Sequence, residues 1–481
     1  MSPQIASCVF IVGIIGLFWL DREPGTRVSK ALCLPLVWLW LTSSRSFTDW
    51  VAIIQYGRPT GGDQSSMYSE GSPLDRNVLI ALMLFALVIL VRRGRFGAIL
   101  RANLPIVLFL LYCAMSALWS DFPDITIRRW FKAVGTLLIV MVVLSERDRH
   151  FATRRLFVWA GFLLIPHSIL LIKYYPAIGR TYVIENLSTW VLSPVGVTEH
   201  KNSLGGICQV YGIAFLWHFL AAYRDRQHPH RSRHLMAHGA ALAMVAWLFV
   251  QANSVTAQSC FLLASALLIA SSIPGIARKR WLVHLLAVIL IAIPFATLFL
   301  GVGGSALKGM GRDSTLTGRT DIWARVIALV HNPVIGTGFE SFWLGKRLEA
   351  MQLYQRGLNE THNGYLEIWV SLGWIGVLFL AVMIVRGYRS IMASYHRNPD
   401  TARFRLAFFL IVIVSSFTEA AFRTEGISWI AFLLMTMAIP GEHLRGRVRI
   451  PGVTVVSSGH GRLETVAVGS SSQQPVPEVT L

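Results

Sequence analysis

The chain has 481 residues, 54% of them hydrophobic and 14% charged, with a mean hydropathy of +0.54. An ordinary soluble domain carries about 25% charged residues, so a soluble globular enzyme is excluded. The formal net charge of +19 raises nucleic-acid binding, which the distribution of charge along the chain then removes.

Thirteen apolar segments suit spanning helices, near residues 5–20, 31–41, 78–91, 104–119, 130–144, 156–172, 204–223, 236–251, 260–273, 281–302, 364–385, 406–422 and 427–440. Segments such as 281–302 and 364–385 have the roughly 20 residues needed to cross hydrocarbon. The first begins without a basic residue and runs into Asp21-Arg22 instead of a small-residue cleavage site, so it reads as a retained span. Alternate connections (21–30, 92–103, 146–155, 224–234, 274–280, 386–405, 441–450) hold 26 Lys and Arg in 80 residues, whereas the others hold 16 in 150. The basic set is cytoplasmic, which puts the N-terminus outside and the C-terminus inside. Excess charge is thus a topology signal, and no nucleic-acid partner is expected.

The five cysteines (Cys8, Cys33, Cys113, Cys208, Cys260) show no paired or metal-ligand spacing and read as core residues. From about Val455 to Leu481 the composition predicts a disordered cytoplasmic extension. The expected fold class is an all-α integral membrane protein, a polytopic bundle of about 11–13 spans. Its expected parts are an N-terminal region of about ten spans (1–302), an external loop (303–363), C-terminal spans (364–440) and a tail (441–481).

Polar chemistry is left to three external connections. The first, 42–77, ends in EGSPLDR, with Asp75 and Arg76 as candidates. The second, 173–203, holds Arg180 and the run Glu199, His200, Lys201, Asn202. The third, 303–363, is far longer than a helix connection requires, and such loops are usually functional or disordered. Order is predicted: Thr317 or Thr320 can cap a helix, Ile322, Trp323, Val326, Ile327 and Val330 recur at helical spacing, and Asn332-Pro333 ends it. This segment reads as an amphipathic helix on the outer membrane surface. Gly336 and Gly338 then suit a tight turn brought back against the bundle.

Arg319 heads that helix, where the positive dipole end favours anions, and its fork can grip a phosphate or diphosphate. The competing reading is an interfacial arginine that snorkels or pairs with a carboxylate, which suits Arg325 better. His362 immediately precedes a span and can exchange a proton with a hydroxyl. The alternative is a helix-start histidine beside the capping Asn363.

His362-Asn363 is followed by nine residues, Gly373, two residues and Gly376; upstream stand Gly318-Arg319, Ile322-Trp323, Pro333, Gly336 and Gly338. Over about residues 200–380 this resembles the Wzy_C signature of the O-antigen ligase and polymerase family. EGSPLDR and the Glu199–Asn202 run are similar to its ExoQ-type exopolysaccharide polymerases. The resemblance implies a GT-C-like bundle in the bacterial inner membrane. It also implies a glycan donor on undecaprenyl diphosphate at the periplasmic face, transfer to a sugar hydroxyl, and a chain-length regulator as a further partner. The acceptor is another lipid-linked unit in polymerases and lipid A-core in ligases.

Expelling a diphosphate from C1 requires a metal or fixed cations. The external connections contain no D-x-D, and Asp121 and Asp124 read as loop or cap residues. The expectation is metal-independent, inverting transfer without a cofactor, with Arg319 and His362 catalytic. Arg180, Lys201 and His200 join Arg319 as diphosphate ligands. Lys201 stands where many relatives have arginine, and supplies charge without a fork. Glu199, Glu360 and Glu419 are alternative bases; Glu367 and Glu419 lie near or within spans, where carboxylates are costly. Thr361 and Tyr365 are further candidates. A transporter or flippase is the rival class, against which stands the lack of corresponding Gly/Pro-broken halves.

Overall fold

Each of the thirteen apolar segments contains a helix in the computed structural model, which describes residues 1–23, 29–59, 72–185, 189–227, 229–300, 319–355, 357–395, 397–438, 453–457 and 463–467. The helices at these segments are α1 (Pro3–Leu20), α2 (Cys33–Thr42), α4 (Pro73–Arg93), the pair α5 (Phe96–Ala102) and α6 (Leu104–Met115), α7 (Pro123–Leu144) and α8 (Arg149–Tyr174). There follow α9 (Lys201–Arg224), α10 (Arg231–Ala252), α11 (Val255–Ala270), α12 (Arg280–Phe299), α15 (Gly364–Ser394), α16 (Pro399–Ser415) and α17 (Ile427–Thr436). Between them lie shorter elements that include the helices α3 (Phe47–Tyr56), α13 (Arg319–Ala328) and α14 (Gly345–Tyr354) and an antiparallel hairpin, β1 (Arg180–Glu185) with β2 (Thr189–Pro194).

Among the described residues, seven helices are individually long and apolar enough to cross a membrane; the α5–α6 pair, bent by 90°, makes an eighth. The fold is therefore all-α and multi-pass. Only 11% of α1 and of α4 is buried against 67% of α8 and 61% of α9, so α1 and α4 are peripheral and α8 and α9 central. Exposed leucine, isoleucine and valine on the peripheral helices suit lipid as the surrounding solvent. The same reasoning corrects the cysteine expectation: Cys113, Cys208 and Cys260 are buried, but Cys8 and Cys33 are on the outside of the bundle.

Polar side chains tie the helices at their ends. Asp21, the C-cap of α1, is buried and receives Arg155 of α8 and the ring of His238 of α10 at 3.0 Å. Asn103 marks the bend between α5 and α6; its side chain donates to the carbonyls of Ile99 (2.8 Å) and Ala438 (2.7 Å). In the first external connection, Asp75 at the start of α4 accepts from the Thr48 backbone N–H (3.0 Å), which fixes α3 and gives Asp75 a structural task. Glu70, Gly71, Thr317 and Gly318 lie outside the described residues, and Thr320 is inside α13.

Residues Met1–Ala438 form one compact unit and Ile439–Leu481 another. In the second, where composition predicts disorder, β3 (Val453–Ser457) pairs antiparallel with β4 (Leu463–Ala467). The rest of the expected tail lies outside the described residues.

Candidate functional site

The glycines of the external loop and those of the following span meet each other. Gly373 adopts φ 62° and ψ −164° inside α15 and breaks it. In hydrocarbon the freed backbone groups need partners, and the turn at 333–338 provides them. Thr337 and Gly338 N–H groups donate to the carbonyls of Val370 (3.0 Å) and Ser371 (2.9 Å), while Trp374 and Ile375 N–H groups donate to those of Pro333 (3.0 Å) and Val334 (3.2 Å). A Cβ on Gly373 would stand 2.2 Å from the Val334 carbonyl, and one on Gly336 would stand 2.6 Å from the Gly373 nitrogen. Both glycines also have positive φ, which other residues adopt at a cost. The turn is thus laid into the broken helix, as its composition predicts.

Beside it a small core orders the loop. Ile322 and Val326 of α13 pack with Phe342, Trp343, Leu348, Met351, Leu358 and Val370. Of the five apolar positions expected on the α13 face, these two are buried, Trp323 and Val330 are partly so, and Ile327 is exposed. Around this core, hydrogen bonds hold the chain on either side of His362. Glu367 accepts from Trp343 Nε1 (2.7 Å) and from the Thr361 N–H (3.0 Å), and Trp323 Nε1 donates to the Thr361 carbonyl (2.9 Å). Asn363 caps α15, accepting from the N–H groups of Tyr365 and Leu366 at 3.0 Å each. The Gly364 N–H reaches the Ser416 carbonyl at the end of α16 (2.8 Å), and the Tyr365 hydroxyl donates to Ile413 (3.1 Å).

Between these anchors, His362 joins a cluster of alternating charge. Its Nδ1 lies 2.8 Å from Glu360 Oε1 and 4.0 Å from Glu419 Oε2. Arg319 Nη2 donates to Glu419 Oε1 at 3.2 Å, and Arg423 Nη1 stands 3.7 Å from Glu360 Oε2. Burial would raise the Glu360 carboxyl, but the His362 ring and then Arg423 outweigh it and bring it down to about 2. The complementary shift appears on His362: burial lowers it, Glu360 more than compensates, and the ring holds its proton above the usual histidine range. Glu419, raised by burial against the pull of Arg319, has an affinity for a proton that the other carboxylate lacks. The cluster therefore contains a charged carboxylate, a proton-exchanging ring, a protonatable carboxylate and two guanidiniums.

The remaining candidates are placed as follows. His200, the N-cap residue of α9, lies close enough to Glu360 to lower it electrostatically. Glu199, raised by burial, feels His200, Asp49, Arg45 and Asp75. Lys201 is the first residue of α9. Arg180 opens β1, and its Nε donates to the Ile172 carbonyl at 3.2 Å. Arg325 stacks over Tyr354 (4.1 Å), away from the cluster's ion pairs. Asp121 lies in the loop expected for it and accepts from Arg347 (2.6 Å), and Asp124 sits in the first turn of α7, whose N-cap is Phe122. Arg423 is the member that sequence reasoning missed: its only signal was being the sole basic residue of the 423–426 connection.

Glu360, His362 and Glu419 offer ligand atoms within 4.8 Å of one another, a spacing that could hold one metal ion. Two guanidiniums already neutralise those carboxylates, which disfavours a further dication.

Residues 240–381 match the family model described as O-antigen ligase. The match contains Arg319, the glycine turn and His362, and leaves Glu199–Asn202 outside. The chain is 23% identical over 308 residues to the exopolysaccharide production protein ExoQ of Rhizobium meliloti, covering 61% of this chain and 67% of that protein. It is also 31% identical over 86 residues to an uncharacterized protein of Haemophilus influenzae, covering 17% of this chain and 22% of that one. The chain is thereby shown to be similar to the O-antigen ligase family and to an exopolysaccharide production protein.

Proposed function

We propose that the protein is a polysaccharide polymerase that transfers undecaprenyl-diphosphate-linked oligosaccharide repeat units to a growing lipid-linked glycan at the periplasmic face of the bacterial inner membrane. The observation that carries this reading is the Arg319–Glu419–His362–Glu360 cluster, of which Arg319, Glu360 and His362 lie inside the segment matching the O-antigen ligase model and Glu419 beyond it. Arg319, Glu360 and His362 come from the 303–363 connection, one of the set with fewer basic residues, and Glu419 from the end of the 406–422 segment. The similarity to an exopolysaccharide production protein favours polymerase. The description of the family model favours the second reading, a ligase acting on lipid A-core.

In the proposed reaction the acceptor hydroxyl oxygen forms a bond to C1 of the donor sugar. The bond from C1 to the diphosphate oxygen breaks, and the diphosphate leaves with the electron pair. The hydroxyl proton passes to Nε2 of His362, whose Nδ1 faces Glu360; a carboxylate on one ring nitrogen raises the basicity of the other. Arg319 exchanges Glu419 for the diphosphate and neutralises the departing charge without a metal. Lys201 and His200 at the start of α9, and Arg180, are proposed as further diphosphate ligands. One in-line displacement inverts C1.

Profiling surface polysaccharide in a deletion strain tests this. Loss of high-mass polymer with accumulation of single lipid-linked units supports polymerase. Polymer that persists but is no longer attached to lipid A supports the ligase, and loss of periplasmic repeat units would instead indicate a flippase.

A further inference from the structure

At the opposite end of the bundle is a second cationic site. Helix α9 starts at His200, beside Glu360, and ends 24 residues later at Arg224, about 36 Å away at 1.5 Å per residue. Helix α16 runs the other way, from Asn398 to the neighbourhood of Glu419. Where those far ends meet α8 and α11, a cavity of about 520 Å³ is lined by Arg154, Arg224, Arg403, Trp217, Asp225 and Asp400, among others. Its charged residues come from three of the basic connections assigned to the cytoplasm, 146–155, 224–234 and 386–405.

The charges in this cavity are unbalanced. Arg403 is paired with Asp400 at 2.8 Å, and Asp225 Oδ1 accepts from the Gln227 N–H at 3.2 Å. Among the described residues, neither Arg154 nor Arg224 has a carboxylate at ion-pair distance. Arg154 lies instead over the Trp217 ring, at 4.6 Å, and Arg224 feels the repulsion of Arg403 and, less strongly, the attraction of Asp400, whose field also reaches Arg154. The N-terminus of the 17-residue α16 adds its positive dipole end. Trp217 suits the level of lipid head groups, where amphipathic rings gather.

We propose that this cavity binds a phosphate group, supplied by the head group of an anionic phospholipid of the cytoplasmic leaflet. Guanidiniums in a pocket between helices at that depth match the chemistry of such head groups. The site is independent of the transfer chemistry, since none of its residues touches the Arg319–His362 cluster.

The test uses the full-length protein in detergent, titrated separately with phosphatidylglycerol, phosphatidylcholine and inorganic phosphate. The thermal unfolding midpoint and the bound phospholipid are measured. Phosphatidylglycerol should raise the midpoint and be retained, and phosphatidylcholine should do neither. Arg224→Gln, at an exposed position, and Arg154→Gln should each weaken the effect about tenfold, as expected for one lost charge-assisted contact. Arg278→Gln, a cytoplasmic-side change outside the cavity, should leave it intact. An equal rise with inorganic phosphate alone would support the phosphate site and identify a soluble source. No response to either phosphatidylglycerol or inorganic phosphate would overturn the proposal, as would an Arg278→Gln loss as large as that of Arg224→Gln.

Discussion

His362 Nδ1 and Glu360 Oε1 lie 2.8 Å apart, with the backbone at His362 left-handed, φ 52°. A non-glycine residue held there costs of order 1–3 kcal/mol, and such strain persists where the surroundings over-determine it. The bonds to Thr361 and Asn363 on either side do so here. The ring thus faces its carboxylate partner before any substrate arrives.

Replacing that partner should alter the pH dependence of transfer. Glu360 raises His362 above its ordinary value, so the ring loses its proton, and becomes a base, only as pH rises through that higher value. In Glu360→Gln the largest raising influence is gone, burial and Arg319 are opposed only by Glu419, and the histidine falls. The acid limb of kcat/KM should therefore move to lower pH, with kcat down about 10²-fold. An unmoved limb would mean that Glu360 does not tune the base.

The broken helix makes a sharper structural prediction. A Gly373→Ala methyl would clash with the Val334 carbonyl at 2.2 Å and would occupy a positive φ. A loss of about 2–4 kcal/mol is expected, read as a lower thermal unfolding midpoint. Gly206→Ala, with nothing within 4 Å, serves as the control and should be neutral or slightly stabilising.

Much of this arrangement was legible in the sequence, and what was not has a common cause. Hydrophobic runs located all thirteen apolar helices, because each span's length and composition are local properties. The α13 helix and the return of the turn at Gly336 and Gly338 were readable for the same reason. What the glycines touch was not: Gly336 and Gly373 are 37 positions apart in number, and only the fold shows that each leaves room for the other's backbone. Arg423 and Glu360 pair across a comparable separation. The β1–β2 hairpin was hidden in a connection whose composition does not alternate strongly, and the lipid-facing positions of Cys8 and Cys33 cannot be told from core by hydropathy. Glu360 and Glu419 appeared as rival bases; in the fold they flank one histidine from two sides.

Arg319 should tolerate no substitute. In the proposed mechanism Arg319 neutralises the departing diphosphate, so Arg319→Ala should lower kcat by about 10²–10³-fold. Arg319→Lys keeps the charge but loses the bidentate fork, so it should recover only part of the activity. Full activity in the lysine variant would show that charge alone suffices.

Chelation separates fixed cations from a metal. Transfer from a lipid-diphosphate donor should continue in EDTA, with Arg319 and Arg423 in place. Abolition by EDTA and restoration by a divalent ion would assign the Glu360, His362 and Glu419 ligand atoms, within 4.8 Å of one another, to a metal instead.

The most direct test of the central claim reconstitutes purified wild type and His362→Ala in liposomes with an undecaprenyl-diphosphate oligosaccharide, and follows chain growth. Both proteins should insert and unfold at similar temperatures. Wild type should build polymer, and the alanine variant should be slower by about 10²–10⁴-fold, the range for a lost general base. A folded His362→Ala protein that polymerises at nearly the wild-type rate would contradict the account.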